Sequence, residues 1–214
     1  PSMKRHSSLR AGFTLIELLV VITIIGILAT LAPSAINGVL TNANQAKALN
    51  GARNVAMALK LYASDHDGLF PTGSSATDAF GKLLPADASS SGYIKDKKSF
   101  MVKGSAYTPT PAAGTKSDPT TLGENENHWA YISGLNSDGS DTWPLLFDGS
   151  EDGTYVAKKT EKGGVWEGKS AIVVRISGAA GKETLKDMKL QTETSNDLNP
   201  SGDWLKGGTY AKPQ

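Results

Sequence analysis

The chain has 214 residues, 39% hydrophobic and 20% charged, a composition that excludes wholesale disorder and fits one folded domain plus an anchoring segment, or at most two small domains. It has no cysteine, so disulfides, thiolate metal sites and cysteine nucleophiles are excluded. The net charge of +1 hides an asymmetry: Lys4, Arg5 and Arg10 precede residue 13, and the rest carries 19 basic against 21 acidic residues, which gives no electrostatic case for nucleic-acid binding.

In chain order, the first element is Phe13–Ala32, a run of 20 almost wholly apolar residues holding one carboxylate, Glu17. As a helix it would be about 30 Å long, the thickness of a bilayer's hydrocarbon core. Three basic residues precede it, while residues 33–46 carry no charge. The positive-inside rule therefore keeps the N-terminus in the cytoplasm and exports residues 34–214. A cleaved secretory signal fits poorly, because the run is too long and Gly12 stands before the apolar segment rather than after it. Glu17 is the anomaly: a carboxylate inside a membrane helix costs a few kcal/mol unless it is neutralised or paired.

The stretch "RAGFTLIELLVVITIIGILA" (Arg10–Ala29) resembles the N-terminal segment of type IV pilins and type II secretion pseudopilins. That pattern is a short basic leader ending in Gly, then Phe, then Thr-Leu-Ile-Glu and an apolar helix. The resemblance implies that a prepilin peptidase cuts between Gly12 and Phe13 and that the new Phe13 amine is methylated. It also gives Glu17 a partner, the Phe13 amine of an adjacent copy. In low dielectric that attraction is large and either charge left alone is penalised, so the pair can set subunit register.

Pro33 and Gly38 predict a kink or local melting. Beyond it, apolar positions from Val39 through Leu49, Ala52, Val55, Ala56, Leu59 and Ala63 keep three- and four-residue spacing, which predicts an amphipathic helix ending near Ser64. A loop-rich stretch runs from there to about Asn127. Short strands are predicted at 129–132, 144–147, 154–157 and 171–176, and a short helix over "KETLKDMKL" (182–190) ahead of a polar tail. The fold class read from this order is α+β: a long bent N-terminal helix, transmembrane in its first half, packed on a small antiparallel sheet. Its parts are a leader (1–12), a transmembrane or fibre-core helix (13–33), the amphipathic half (34–64) and an extracytoplasmic head (65–214). The head is also similar to that of pseudopilin-like proteins of planctomycete- and verrucomicrobium-type bacteria, through "YASDHDGLFP", "WPLLFDG" and "GKSAIVVRISG". Such proteins carry His, nine residues, then Asp-Gly, a spacing that His128 and Asp138-Gly139 satisfy, though in an altered context.

"GGVWEGKS" (Gly163–Ser170) satisfies the phosphate-loop pattern. A phosphate loop needs a helix straight after it, whereas "AIVVRI" reads as a strand, so a hairpin turn is the better reading. "SDHDG", "NSDGSD" and "DGSEDG", with Asp138, Asp141 and Asp148, offer the oxygen ligands calcium takes, and major pseudopilins that the chain resembles carry a head-loop calcium. Solvated turns explain the same residues. The reading is therefore no cofactor, with calcium as the alternative. His6, His66 and His128 show no zinc spacing, no Ser/His/Asp arrangement stands out, and Glu124 and Glu126 read as a solvated loop. The chain is thus read as no enzyme. It reads as a structural subunit of a pilus-like or pseudopilus fibre in the inner membrane, with the head outside. Its partners are prepilin peptidase, other copies, minor pilin-like subunits, an inner-membrane assembly platform and the membrane, with no nucleic acid. The alternative is a permanently anchored ligand- or polysaccharide-binding domain using Trp129, Trp143, Trp166 and Trp204.

Overall fold

A computed structural model of the chain describes residues 13–87, 89–109, 118–190 and 208–214, and of residues 30–36 the backbone alone. The chain divides into two compact units, Pro1–Ala43 and Asn44–Gln214. The first helix, α1 (Leu15–Asp65), runs through both.

The start of α1 is fixed locally. Thr14 stands at the N-cap and Glu17 three residues on. Glu17 Oε2 accepts from the Thr14 N–H at 2.8 Å and from its hydroxyl at 2.7 Å, while the Glu17 N–H donates to Thr14 Oγ1 at 3.3 Å. This reciprocal capping box satisfies two backbone donors that a helix start would otherwise leave open. The expected kink at Pro33 is not found: the helix continues without a break through Pro33 and Gly38. A proline removes one backbone hydrogen bond, and here long helical stretches on both sides bridge that loss. Among the described residues no helix is long and apolar enough to cross a membrane. The transmembrane expectation for 13–33 therefore finds no support in the structure.

In the second unit α1 presents Ala48, Ala52, Val55, Ala56, Leu59 and Ala63 to the core, all buried. The small side chains let other backbone come close. At Gly51 a Cβ would sit 2.9 Å from the Ser99 carbonyl oxygen. The core is completed by α2 (Ala76–Gly81) and five strands: β1 (Trp129–Ser133), β2 (Pro144–Asp148), β3 (Ser170–Arg175), β4 (Ala180–Thr184) and β5 (Thr209–Ala211). They form one antiparallel sheet in the order β4-β3-β2-β1-β5. β1 and β2 are buried along their whole length, whereas the outer strand β4 is half-buried to exposed, so β1 and β2 are apolar except at their last residues, Ser133 and Asp148, while β4 carries Lys182, Glu183 and Thr184.

Two further sequence expectations are corrected. Residues 182–190 are not helical: Ala180–Thr184 pair with β3 and Lys186–Lys189 turn back on themselves. The strand expected at 154–157 is a single bridge from Thr154 to Lys189. The α+β class itself holds, with α2 and β5 as additions.

Candidate functional site

Two places carry unusual chemistry: the first turns of α1 and a buried polar cluster in the head.

At the first, the apolar side chains from Phe13 to Leu28 are solvent-exposed on every face of the helix, Leu15 at 82% and Leu28 at 60%. A water-soluble helix keeps one face polar. This one has polar side chains only at Thr14, Glu17 and Thr23, and Thr23 turns its hydroxyl back to the Leu19 carbonyl at 2.7 Å. Among the described residues, both bonds to the Glu17 carboxylate fall on Oε2 and none on Oε1, and the side chain is exposed. Gly12 lies outside the described residues.

Residues 7–33 match the prokaryotic N-terminal methylation motif. This motif marks type IV pilin-like and pseudopilin precursors, and it implies prepilin peptidase processing and assembly with other pilin subunits. No curated protein and no solved structure matches the chain, so the likeness of the head to planctomycete- and verrucomicrobium-type proteins gains no support.

In the head, the strand ends bring together residues that sequence spacing kept apart. His128, just before β1, places Nε2 2.6 Å from Asp148 Oδ1 at the end of β2, and Nδ1 2.6 Å from Ser105 Oγ. The other carboxylate oxygen of Asp148 accepts from Trp166 Nε1 at 2.8 Å and from the Ile172 N–H at 2.6 Å. Its backbone carbonyl accepts from Tyr155 Oη. An ionised carboxylate can only accept, so on that side His128 donates from Nε2 to Asp148, while Nδ1 shares a hydrogen bond with the Ser105 hydroxyl. Ser105 Oγ in turn accepts the Tyr107 N–H at 3.1 Å. Burial raises the Tyr155 hydroxyl well above the ordinary tyrosine range, with the nearby Asp148 charge adding to it.

A Ser/His/Asp chain therefore exists, contrary to the sequence reading. Ser105 is 5% exposed, His128 1% and Asp148 0%, and the serine oxygen is already held by backbone. A nucleophile must reach a substrate and face donors for the charge that develops. This one is sealed, so the cluster acts as a clamp joining the loop at Ser105, β1, β2 and β3. The expected spacing from His128 to Asp138-Gly139 is also replaced: His128 pairs with Asp148, and Gly149 is the next residue. A Cβ on Gly149 would collide with the His128 carbonyl oxygen, which explains glycine there.

The remaining candidates disperse. Asp148 is consumed by the clamp. The Asp138 N–H binds Asn136 Oδ1 within its own turn. Asp141 lines an open depression of about 460 Å³ with Lys60, Ser64, Ser137, Ile176 and Ser177. Among the described residues no three acidic or histidine side chains are grouped to hold a metal. Lys169 and Lys159 both bind Glu167, at 2.6 and 2.9 Å, and hold its carboxyl down at about 2. β3 stands where a phosphate loop would need a helix. Glu126 is not merely solvated, since it pairs with the buried Lys97 at 2.6 Å. Trp129 and Trp166 are core residues bonded to the Ser99 carbonyl and Asp148, Trp143 is partly buried, and Trp204 lies outside the described residues.

Proposed function

We propose that this chain is the precursor of a structural subunit of a type IV pilus-like or type II secretion pseudopilus fibre. The observation that carries this reading is the helix from Phe13 to Leu28, apolar on all faces, lying within the methylation motif. Such a surface must be covered, either by lipid or by copies of itself. In this reading residues 1–12 are a leader removed by prepilin peptidase after Gly12, and Phe13 becomes a methylated N-terminus. The helix waits in the inner membrane with the head outside and is then drawn into a fibre core by an inner-membrane assembly platform. The partners are other copies and minor pilin-like subunits.

Glu17 has two duties in this reading. Oε2 caps its own helix, and Oε1 receives the Phe13 amine of a neighbouring copy. Leaving a charge unpaired in an apolar fibre core costs several kcal/mol, so the pair selects one axial register. Glu17→Ala should leave the chain inserted in membranes but sharply reduce sheared fibres recovered by sedimentation. Glu17→Gln, which keeps an acceptor for the cap, should show the same assembly defect. Normal fibre yield from Glu17→Gln would remove the charge pairing while leaving the cap in place.

A further inference from the structure

Ser105 is sealed from outside substrates, yet one acyl carbon lies within its covalent reach, the carbonyl carbon of its own neighbour Gly104. Attack there closes a five-membered ring through the Ser105 nitrogen, Cα, Cβ and Oγ, so no substrate has to enter. The loop around it is braced. The Ser105 N–H donates to the Val102 carbonyl at 3.1 Å, and the Tyr107 N–H donates to Ser105 Oγ at 3.1 Å. Thr108 Oγ1 closes the loop, donating to the Val102 carbonyl at 3.0 Å and accepting the Val102 N–H at 3.3 Å. The base is held as firmly. With Nε2–H given to Asp148, a neutral His128 ring leaves a lone pair on Nδ1, 2.6 Å from Ser105 Oγ. Trp129 and Tyr107 meet that ring edge-on, with centroids 4.9 and 6.4 Å away, and fix its plane. Nucleophile, base and orienting carboxylate thus stand one hydrogen bond apart in sequence. Gly104 itself is exposed, has φ +88°, and a Cβ built there would meet nothing within 4 Å. Water can therefore reach the carbon that Ser105 would attack.

We propose that the head cuts its own backbone between Gly104 and Ser105, with Ser105 as nucleophile, His128 as base and Asp148 positioning the ring. Ser105 Oγ attacks the Gly104 carbonyl carbon while its proton passes to His128 Nδ1. As the C–N bond between Gly104 and Ser105 breaks, His128 returns that proton to the Ser105 nitrogen. Gly104 is then joined to Ser105 by an ester. Water hydrolyses the ester and leaves a carboxylate on Gly104 and a free hydroxyl and amine on Ser105. Water is the sole co-reactant. Among the described residues no group donates to the Gly104 carbonyl oxygen. Solvent alone receives the developing charge, so each chain cuts once and slowly. The break separates α1 and α2 from all five strands, and the shared core holds the two pieces together until they are denatured. The cut is independent of whether the chain forms fibres.

Hydroxylamine gives a direct test, because at neutral pH it attacks esters and leaves ordinary peptide bonds. The full-length chain, purified in detergent, is incubated with and without it, then denatured and weighed by mass spectrometry. Without hydroxylamine, a fragment ending in a Gly104 carboxylate should accumulate slowly beside one beginning at Ser105. With it, cutting should be faster and the first fragment should end in a hydroxamate, a group that no contaminating protease can install. Ser105→Ala should abolish the cut. His128→Gln should slow it by about 100-fold, as loss of a general base does. Circular dichroism establishes which variants remain folded, and if His128→Gln does not, the wild type and Ser105→Ala decide the matter. A folded wild-type chain that stays whole in hydroxylamine would overturn the proposal. A cut of equal extent in Ser105→Ala, or at the wild-type rate in a folded His128→Gln, would do the same.

Discussion

Glu17 and Asp148 are both carboxylates in apolar settings, and the chain treats them in opposite ways. Asp148 is fully enclosed and its acceptor capacity is filled from inside by His128, Trp166 and Ile172. Removing it strands three buried donors, so Asp148→Ala should destabilise the head by about 3–5 kcal/mol, seen as a fall in melting temperature of roughly 10 °C. Ser105→Ala, which removes one neutral bond, should cost only about 1 kcal/mol. Equal effects from the two would contradict the clamp. Glu17 instead keeps one oxygen outward. Its cap, not read above, was open to reading in the sequence because Thr-x-x-Glu is a local pattern. The His128–Asp148 contact was not, because its partners come from separate strands and a loop, and only the Asp-Gly closing "WPLLFDG" hinted at it. At the surface, Glu167 titrates at about 2 because Lys169 and Lys159 bind it. Its folded value lies below the ordinary 4.5, so the clasp contributes fully above that pH and is lost as pH falls through 2. A carboxyl-carbon NMR titration of Glu167 with a midpoint near 4.5 would contradict this.

Among the elements, α1 shows how far local pattern reaches. Its amphipathic half was readable from three- and four-residue spacing, and Gly51 lies on the buried side for a reason spacing cannot show, the Ser99 backbone pressed against it. An alanine in a helix is ordinarily worth up to about 1 kcal/mol over glycine. Gly51→Ala should nevertheless lower stability, because the contact at 2.9 Å is with backbone. Gly38→Ala, at an open position, should raise it. Thermal unfolding of the two variants checks the contrast, and a gain from Gly51→Ala would count against the packing described. Residues 182–190 misled the sequence reading because Lys, Glu, Leu and Met favour helix. Pairing with β3 overrides that preference, and a wet outer strand tolerates the charges. β5 was invisible for the same reason: three residues far along the chain have meaning only beside β1.

For the molecule as a whole, a well-packed head with a buried polar clamp shares its chain with a helix whose apolar side chains from Leu15 to Leu28 are exposed. The head needs no disulfide, since its two central strands are buried along their length. Its α+β class could be read from one long helix followed by short strands. The methylation motif over residues 7–33 fits the proposed covering of that helix by lipid or by other copies. Gly12→Val should block leader removal and strand the chain in the membrane, with residues 1–12 retained. The most direct measurement of the account is the intact mass of the native chain recovered from sheared fibres and from membranes. The account predicts a fibre form that begins at Phe13 and bears one added methyl group. A native chain that retains residues 1–12 in every fraction would contradict it.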